Sequence, residues 1–124
     1  GYTYSGHPLA CAAGLATLDV YNEDDLFNRA LSMSEYWENV AHSLKGYPFV
    51  KDIRNIGLIA GVELESRHNL PGARANEVFA RCYDAGVLVR VTGDTIALSP
   101  PLIIEKDEIN RLFETIGNVL KKVE

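Results

Sequence analysis

Short runs of alternating apolar residues, separated by glycine and proline, constrain the fold of this chain more than any other feature. The range 49–65 is divided by Gly57, and apolar side chains recur at every second position after it. Alternation of this kind is typical of a β-strand with one buried face. A third strand is predicted over Val87–Val91, and Thr92-Gly93-Asp94 turns the chain into a fourth over Thr95–Leu98.

Helical periodicity is found on both sides of these strands. A first helix is predicted over about Pro8–Tyr21, because proline suits the first helical position and an alanine-rich run follows it. Asn22 is a suitable N-cap for a second helix, which Gly46 ends. Two more helices are predicted over about Ala73–Ala85 and Lys106–Val123, the last with one apolar face. These elements predict an α+β domain, in which helices cover one face of a mostly antiparallel sheet of about four strands.

The composition is that of an ordinary globular domain rather than a nucleic-acid-binding or membrane protein. The chain has 124 residues, 47% of them hydrophobic and 23% charged, with a net charge of -5 and no basic run. This excludes the electrostatic footprint of a nucleic-acid partner. The longest uncharged stretch, Gly1–Leu18, is too mildly apolar for a membrane span and lacks the basic start of a signal peptide. We expect Cys11 and Cys82 to be two buried, unpaired thiols in a reducing cytoplasm.

The sequence contains no complete catalytic or metal-binding pattern. His7, His42 and His68 are scattered over a loop edge, a helix and a second loop, and their spacing matches no metal site. The segment Ser5-Gly6-His7 lacks the preceding strand that a nucleophile elbow requires. We therefore assign no catalytic residue and no metal ligand to this chain, and we interpret the histidines as surface or capping residues.

A hydroxyl-rich segment, Tyr2–Ser5, lies just ahead of the first predicted helix. Hydroxyl groups and free backbone N–H groups at a helix N-terminus suit an anion such as phosphate. An ordinary helix-capping segment would have a similar composition. The pattern alone therefore leaves both interpretations open.

Arg90 is the one charged residue within the apolar segment Val87–Val91. Alternation puts it on the same face as Leu88 and Thr92, opposite the valines. A guanidinium on an apolar strand requires either solvent or an anionic partner. Three interpretations follow: a solvent-facing side chain, a two-point anchor for a carboxylate, or an internal ion pair with Asp94.

The segment Gly1–Ala13 (GYTYSGHPLACAA) closely resembles a motif of the class III aminotransferases, which depend on pyridoxal phosphate. It is most similar to the branch of omega-amino acid:pyruvate, or β-alanine:pyruvate, transaminases, because His7 precedes the proline. The segments Asp52–Leu58, Leu88–Asp94 and Ser99–Leu102 resemble later parts of the same family, in the same order.

The resemblance implies fold type I, in which a large domain holds the cofactor and a C-terminal small domain closes over the substrate. Residues 1–124 would be that small domain, together with a lead-in helix from the large domain, and the large cofactor-binding domain would be absent. The start at Gly1, in the middle of the motif, also suggests a fragment. Enzymes of this kind form homodimers or homotetramers with active sites at the subunit interface.

The same resemblance implies a two-stage transfer of an amino group from an omega-amino acid or amine to pyruvate, which becomes alanine. Thr3 would bind the phosphate group of pyridoxal 5'-phosphate in the neighbouring subunit, and Arg90 would bind the substrate carboxylate. Thr92, on the same face as Arg90, is a candidate residue of the substrate pocket. The lysine that binds the cofactor lies upstream in the family, so we expect this chain alone to be inactive. The lysines present here occupy none of the family's motif positions: Lys45, Lys51, Lys106, Lys121 and Lys122.

One position departs from the family pattern. A glutamine that contacts substrate in the β-alanine-using enzymes is replaced here by Ala97, which cannot donate a hydrogen bond from its side chain. This departure argues against β-alanine as the preferred donor and in favour of a broader range of amines. Two alternatives stay open: another class III enzyme, such as a semialdehyde mutase or a decarboxylase, and a non-catalytic interaction module that retains the fold.

Overall fold

The computed structural model describes residues 2–124 and contains four helices and four strands. In chain order they are α1 (Pro8–Glu23), α2 (Leu26–His42), β1 (Val50–Ile56), β2 (Ile59–Leu64), α3 (Ala73–Asp84), β3 (Arg90–Thr92), β4 (Thr95–Leu98) and α4 (Lys106–Leu120). The strands form one antiparallel sheet in the order β1-β2-β4-β3. This confirms the predicted α+β fold and its antiparallel sheet. Within residues 2–124, no helix has the length and apolar character needed to cross a membrane.

Two tight hairpins build the sheet. Gly57, with a φ of 53°, lies in the turn between β1 and β2, next to the pair formed by Ile56 and Ile59. Gly93, with a φ of 56°, lies in the turn between β3 and β4. A positive φ of this size favours glycine because it has no Cβ. The turn at Gly93 lies where the sequence predicts it, and the turn at Gly57 lies where the sequence divides the range 49–65. A further ladder between β2 and β4 joins the two hairpins.

The strands bury side chains on one face only, fully in β2 and β4 and partly in β3, where Val91 is half-buried. Val62 and Ile96 pair across β2 and β4 and are fully buried, whereas their neighbours Glu63 and Thr95 point to the opposite face. Helices α2, α3 and α4 share one apolar core with the buried face. We call the other side, which no described helix covers, the open face. It presents Asp52, Arg54, Ile56, Ile59, Gly61, Glu63, Thr95, Ala97, Arg90 and Thr92.

Helix α4 carries the predicted apolar stripe into the core. Phe113 packs edge-on against Trp37 of α2, with 5.0 Å between the ring centroids. An aromatic pair of this kind contributes about 0.5–1.5 kcal/mol beyond its buried area. Glu105 and Glu108 start the helix with a reciprocal capping box. Leu112 of the stripe is half-buried, and its other members are buried: Ile109, Ile116, Val119, Leu120 and, beyond the end of the helix, Val123.

The junction between α1 and α2 differs from the sequence prediction. Asn22 lies inside α1, which continues to Glu23, so it is not the N-cap of α2. Asp25 occupies the cap position in the left-handed conformation, with a φ of 49°, and its carboxylate accepts a hydrogen bond of 2.8 Å from Asn28 Nδ2. Aspartate is one of the few residues other than glycine that adopt this conformation routinely. The chain therefore turns between the two helices at Asp25, three residues later than predicted.

Strand β3 is shorter than predicted and begins at Arg90 rather than at Val87. Helix α3 ends at Asp84, and Gly86, which follows two residues later, has a φ of 79°. There, the Gly86 N–H donates to the Tyr83 carbonyl and the Val87 N–H donates to the Cys82 carbonyl. Many helices end with this pair of hydrogen bonds and a left-handed glycine. The Val87 N–H is thus used by the end of the helix and not by the sheet.

The two cysteines lie in different environments. Cys82 is fully buried, as predicted, and burial raises the pKa of its thiol to about 11. Cys11 is exposed, so the prediction of a second buried thiol is wrong. The reason is that α1 buries none of its residues against the described part of the chain and leaves Leu9, Leu15 and Leu18 exposed.

Candidate functional site

Four residues, one from each strand, form a row across the open face. Arg54 pairs with Gly61, Gly61 with Ala97, and Ala97 with Arg90. A strand spacing of about 4.8 Å separates the two arginines by about 14 Å between their Cα atoms. Only Gly61 and Ala97 lie between them. The middle of the row therefore has no large side chain, and each end has an arginine.

The two arginines of this row differ in their ionic partners. Arg54 donates to Glu63 at 3.1 Å and to Asp52 at 3.0 Å. Glu63 also accepts a hydrogen bond from Lys51, and these bonds hold the pKa of the Glu63 carboxyl below its ordinary value. Arg90, by contrast, is exposed and takes part in none of the ion pairs formed within residues 2–124. Its guanidinium donors are therefore free for an external anion.

Asp94, the internal partner considered for Arg90, is engaged elsewhere. Its carboxylate accepts hydrogen bonds from Ser66 Oγ and, at 2.7 Å, from the backbone N–H of Gly72. The bond from Ser66 and then that from Gly72 lower the pKa of the Asp94 carboxyl. The interpretation of Arg90 and Asp94 as an ion pair is therefore wrong. Asp94 instead ties the β3–β4 turn to the start of α3.

Arg90 lies at an apolar cleft of about 720 Å³ on the β3 edge of the sheet. Its lining comes from β3, β4, two helices and the segments around them: Asn76, Phe79, Leu88, Val89, Arg90, Val91, Ala97, Leu98, Ser99, Pro100, Pro101, Ile104 and Leu112. Arg90 is the only charged side chain among these lining residues. A cleft of this size accommodates a small organic molecule. One free guanidinium at an apolar wall suits a ligand that has a carboxylate and an apolar body.

The residues that the sequence marks around Arg90 lie at different distances from it. Ala97 is directly opposite Arg90 in the ladder and lines the cleft. Thr92 is exposed on the same face as Arg90, as predicted, but it pairs with Thr95 in the next row and is not part of the cleft lining. Ala97 is therefore the nearer neighbour of a ligand held by Arg90.

The hydroxyl-rich segment lies at the start of α1, and Thr3 is not part of the cleft lining. The His7 N–H donates to the Tyr4 carbonyl at 3.2 Å, which folds the segment into a turn. Pro8 begins the helix, and no side chain caps it. Without a side-chain cap, the first backbone N–H groups of α1 and the exposed Thr3 hydroxyl are available to an anion.

Metal-ligating side chains do not cluster in the part of the chain that the structure describes. Across residues 2–124, no group of three or more His, Cys, Asp or Glu side chains could hold a metal ion. His42 contacts Asn55 Oδ1 at 2.9 Å, in a hydrogen bond that joins α2 to β1. This histidine therefore has a structural partner.

A known family accounts for nearly the whole chain. The family model described as aminotransferase class-III matches residues 1–120. The chain belongs to the class III aminotransferases. The resemblance carried by the motif at Gly1–Ala13 is thereby confirmed, and the family's members are enzymes that transfer amino groups.

Individual relatives within the class III aminotransferases agree with the branch predicted from the motif. An omega-aminotransferase of Caulobacter vibrioides is 62% identical over 124 residues, which are 100% of this chain and 28% of that protein. A beta-alanine–pyruvate aminotransferase of Pseudomonas aeruginosa is 37% identical over 123 residues, which are 99% of this chain and 28% of that protein. The structure of an omega transaminase from Pseudomonas jessenii in complex with PMP matches with a TM-score of 0.89 and 30% identity, covering 98% of this chain and 28% of that chain. The chain thus spans about 28% of the length of these relatives.

Two parts of the cleft leave no distinct signal in the sequence. Phe79 and Leu112 line it from α3 and α4, but in the sequence they are indistinguishable from other residues of apolar helical faces. The wall that follows β4 contacts Arg29, which precedes its partner Leu102 by 73 residues. A contact over that separation has no local pattern, and only the proline pair at 100–101 indicates that this wall is irregular.

Proposed function

We propose that this chain is the C-terminal domain, with a lead-in helix, of a transaminase that moves an amino group from an omega-amino acid or amine to pyruvate. The product formed from pyruvate is alanine. One observation carries the proposal: Arg90 has a free guanidinium beside an apolar cleft, in a chain that is 62% identical to an omega-aminotransferase.

We assign the substrate carboxylate to Arg90. The planar guanidinium presents parallel N–H donors that match the two oxygens of a carboxylate. Pyruvate and an omega-amino acid each have a carboxylate, so one arginine serves both stages of the transfer. The ladder with β4 fixes the backbone of Arg90, which keeps the anchor in place while the exposed side chain reaches the ligand.

We assign a broad range of amino donors to the cleft. Ala97 offers no side-chain hydrogen bond beside Arg90, and the remaining walls are mostly apolar. A donor that lacks a carboxylate is then held by apolar contact with these walls. The alanine in place of the family's glutamine therefore favours amines over β-alanine.

We assign pyridoxal 5'-phosphate as the cofactor, as in class III aminotransferases generally. The start of α1 fits its phosphate group, because the helix has no side-chain cap and Thr3 has an exposed hydroxyl. In such enzymes the cofactor supplies the electron sink for the bond that is broken at the donor carbon. Thr3 would hold the phosphate from the neighbouring subunit, and the large domain would provide the remaining contacts, including the lysine.

We infer that the active sites form between the subunits of a homodimer or homotetramer. Helix α1 supports this inference, because Leu9, Leu15 and Leu18 are exposed on a helix that buries none of its residues within the described chain. The small residues over 10–14 allow another backbone to approach closely. The buried, unpaired Cys82 agrees with a reducing cytoplasm, which we propose as the location.

Alanine formation by the full-length protein tests the proposed function. The purified enzyme is incubated with pyruvate and a panel of amines and omega-amino acids, and alanine and the carbonyl product are quantified. Equal amounts of the two products are expected, and residues 1–124 alone should give neither. Release of carbon dioxide from the donor would indicate a decarboxylase, whether or not pyruvate is consumed, and an isomerised donor without alanine would indicate a mutase. Either result contradicts the proposal.

A further inference from the structure

Residues 99–105, which follow β4, form one wall of the cleft and receive little support from the sheet. Strand β4 ends at Leu98, and Ser99, Pro100 and Pro101 then line the cleft. Neither proline has a backbone N–H, so this segment cannot extend the ladder. The Ile104 N–H donates to the Pro101 carbonyl at 3.1 Å and closes a turn ahead of α4. The carbonyl groups at the end of the wall must find their donors elsewhere.

Arg29, on the first turn of α2, provides these donors. Its Nη1 donates to the Leu102 carbonyl at 2.7 Å, and its Nη2 donates to the Ile104 carbonyl at 3.0 Å and to Glu105 Oε1 at 2.7 Å. The Arg29 side chain is 26% exposed, whereas that of Glu105 is 72% exposed. The two carbonyl contacts therefore lie in the part-buried region, and the ion pair with Glu105 lies in solvent, where it contributes little.

We propose that Arg29 is a positioning residue, which fixes the 99–105 wall against α2 and thereby sets how large an amino donor fits beside Arg90. The inference rests on the proposed transaminase function. Ile104 links Arg29 to the cleft, because its carbonyl accepts a hydrogen bond from Arg29 and the residue itself lines the cleft. Pro100 and Pro101 belong to the same wall, so a shift at Ile104 changes the width of the cleft on the side of Arg90.

The chemistry of the contact requires arginine. A guanidinium presents several donors in a fixed plane and meets two carbonyl groups and a carboxylate together, whereas a lysine ammonium is a compact point charge on a flexible stem. When the Arg29 guanidinium is removed, the Leu102 and Ile104 carbonyls lose their donors and turn towards water. The wall is then no longer fixed against α2, and the limit that it sets on the size of the donor is relaxed.

Two variants of the full-length enzyme, Arg29→Lys and Arg29→Met, test this assignment. Arg81→Met is the matched control, because Arg81 donates to Glu77 on the surface of α3 and does not line the cleft. Each enzyme is assayed with pyruvate and two donors that differ in one substituent, 2-aminobutane and 1-phenylethylamine. The ratio of kcat/KM for the bulky donor to that for the small donor is expected to rise about threefold to tenfold in both Arg29 variants, the size of effect that a lost hydrogen-bonded support produces. The rise should come from KM, and Arg81→Met should keep the ratio of the unmodified enzyme.

Hydrogen exchange provides a second measurement that needs no turnover. The peptide covering residues 99–108 should exchange about tenfold faster in Arg29→Lys than in the unmodified enzyme, because the wall opens locally without its clamp. The same peptide should be unchanged in Arg81→Met. If the unmodified enzyme transfers no amino group to pyruvate, the proposed function fails, and this exchange measurement still decides whether Arg29 holds the wall.

The outcomes separate positioning from general stability. If Arg29→Met does not fold, Arg29→Lys retains the charge and serves as the test. An altered donor ratio together with faster exchange over 99–108 supports the assignment. A folded Arg29→Lys enzyme with a lower melting temperature but an unchanged donor ratio would show a purely structural role and overturn it. Unchanged exchange over 99–108 would overturn it as well.

Discussion

Arg90 and Ala97 lie directly opposite each other in the β3–β4 ladder, with both side chains on the open face. Opposed residues in such a ladder have Cβ atoms about 4.5–5.5 Å apart, so their side chains share one space. A methyl group beside the guanidinium leaves that space unfilled on the Ala97 side. If Arg90 binds a carboxylate, as we propose, the residue at 97 determines which side chain that carboxylate contacts next.

Ala97→Gln should shift the donor preference of the full-length enzyme towards β-alanine. The new amide can donate a hydrogen bond to a carboxylate bound at Arg90, so kcat/KM for β-alanine relative to an amine without a carboxylate should rise about threefold to tenfold. Ala97→Met is the control, because it has similar length and no hydrogen-bond donor. Steady-state kinetics with both donors measure the ratio, and an equal rise in the methionine variant would mean that bulk alone is responsible.

Arg90→Met should weaken the use of pyruvate by the full-length enzyme. A hydrogen bond to a charged group contributes about 1.5–3 kcal/mol, which corresponds to a loss of about tenfold to 150-fold in kcat/KM for pyruvate. Arg90→Lys should recover only part of this, because lysine lacks the two-point geometry. Arg54→Met is a control from the same row, where the charge is already matched by Asp52 and Glu63. If Arg54→Met lowered the use of pyruvate as much as Arg90→Met, the carboxylate would not be assigned to Arg90.

Local patterns in the sequence predict most of the sheet. The alternation over 87–92 puts Val89 in the core and Arg90 on the open face, as the structure shows, because a strand that buries one face requires this pattern. Gly57 and Gly86 mark a turn and a helix end because each has a positive φ. The predicted start of β3 is wrong because the Val87 N–H donates to the Cys82 carbonyl at the end of α3. Alternation of apolar residues alone does not reveal this hydrogen bond.

The contacts that complete the cleft depend on the tertiary structure and could not be predicted locally. Arg29 is separated from the carbonyls of Leu102 and Ile104 by 73 and 75 residues. Asp94 likewise bonds Ser66 and Gly72 and not Arg90, because of the way the β3–β4 turn packs against the start of α3. Because Asp94 is bonded to Ser66 and Gly72, the structure excludes the internal ion pair with Arg90, which the sequence left open.

Gly117→Ala should destabilise the 124-residue chain. A Cβ at Gly117 would lie 2.8 Å from Tyr47 Cε1 and 3.1 Å from its Cζ, so the ring must move. Overpacking costs about 1–3 kcal/mol, whereas alanine gains about 1 kcal/mol over glycine within a helix, so a net loss of about 1 kcal/mol is expected. Urea unfolding followed by the fluorescence of Trp37, the only tryptophan, measures the change.

Gly14→Ala is the matched control for that substitution. Gly14 also lies inside a helix, but a Cβ there would meet nothing within 4 Å. The gain in helix propensity should therefore appear alone, as a stabilisation of up to about 1 kcal/mol. Adding Tyr47→Ala to Gly117→Ala should remove the penalty of the added methyl, because the two positions interact directly. Equal effects of the two glycine substitutions would contradict the close contact with Tyr47.

Asp94→Asn should make the stability of the chain less dependent on pH in the acid range. The hydrogen bond from Ser66 and then that from Gly72 hold the pKa of Asp94 below its ordinary value of 3.8. The folded state therefore binds this proton less readily than the unfolded state. The contribution to stability is fully present above the ordinary value and is lost as pH falls through the lowered folded value.

Urea unfolding at a series of pH values, again followed by Trp37, should show a steeper acid loss of stability for the native sequence than for Asp94→Asn. Glu63 and Glu77 also have lowered pKa values, but they are common to both proteins and cancel in the comparison. Parallel acid profiles would mean that Asp94 does not titrate differently on folding, and its attachment of the β3–β4 turn to α3 would then depend on shape and not on charge.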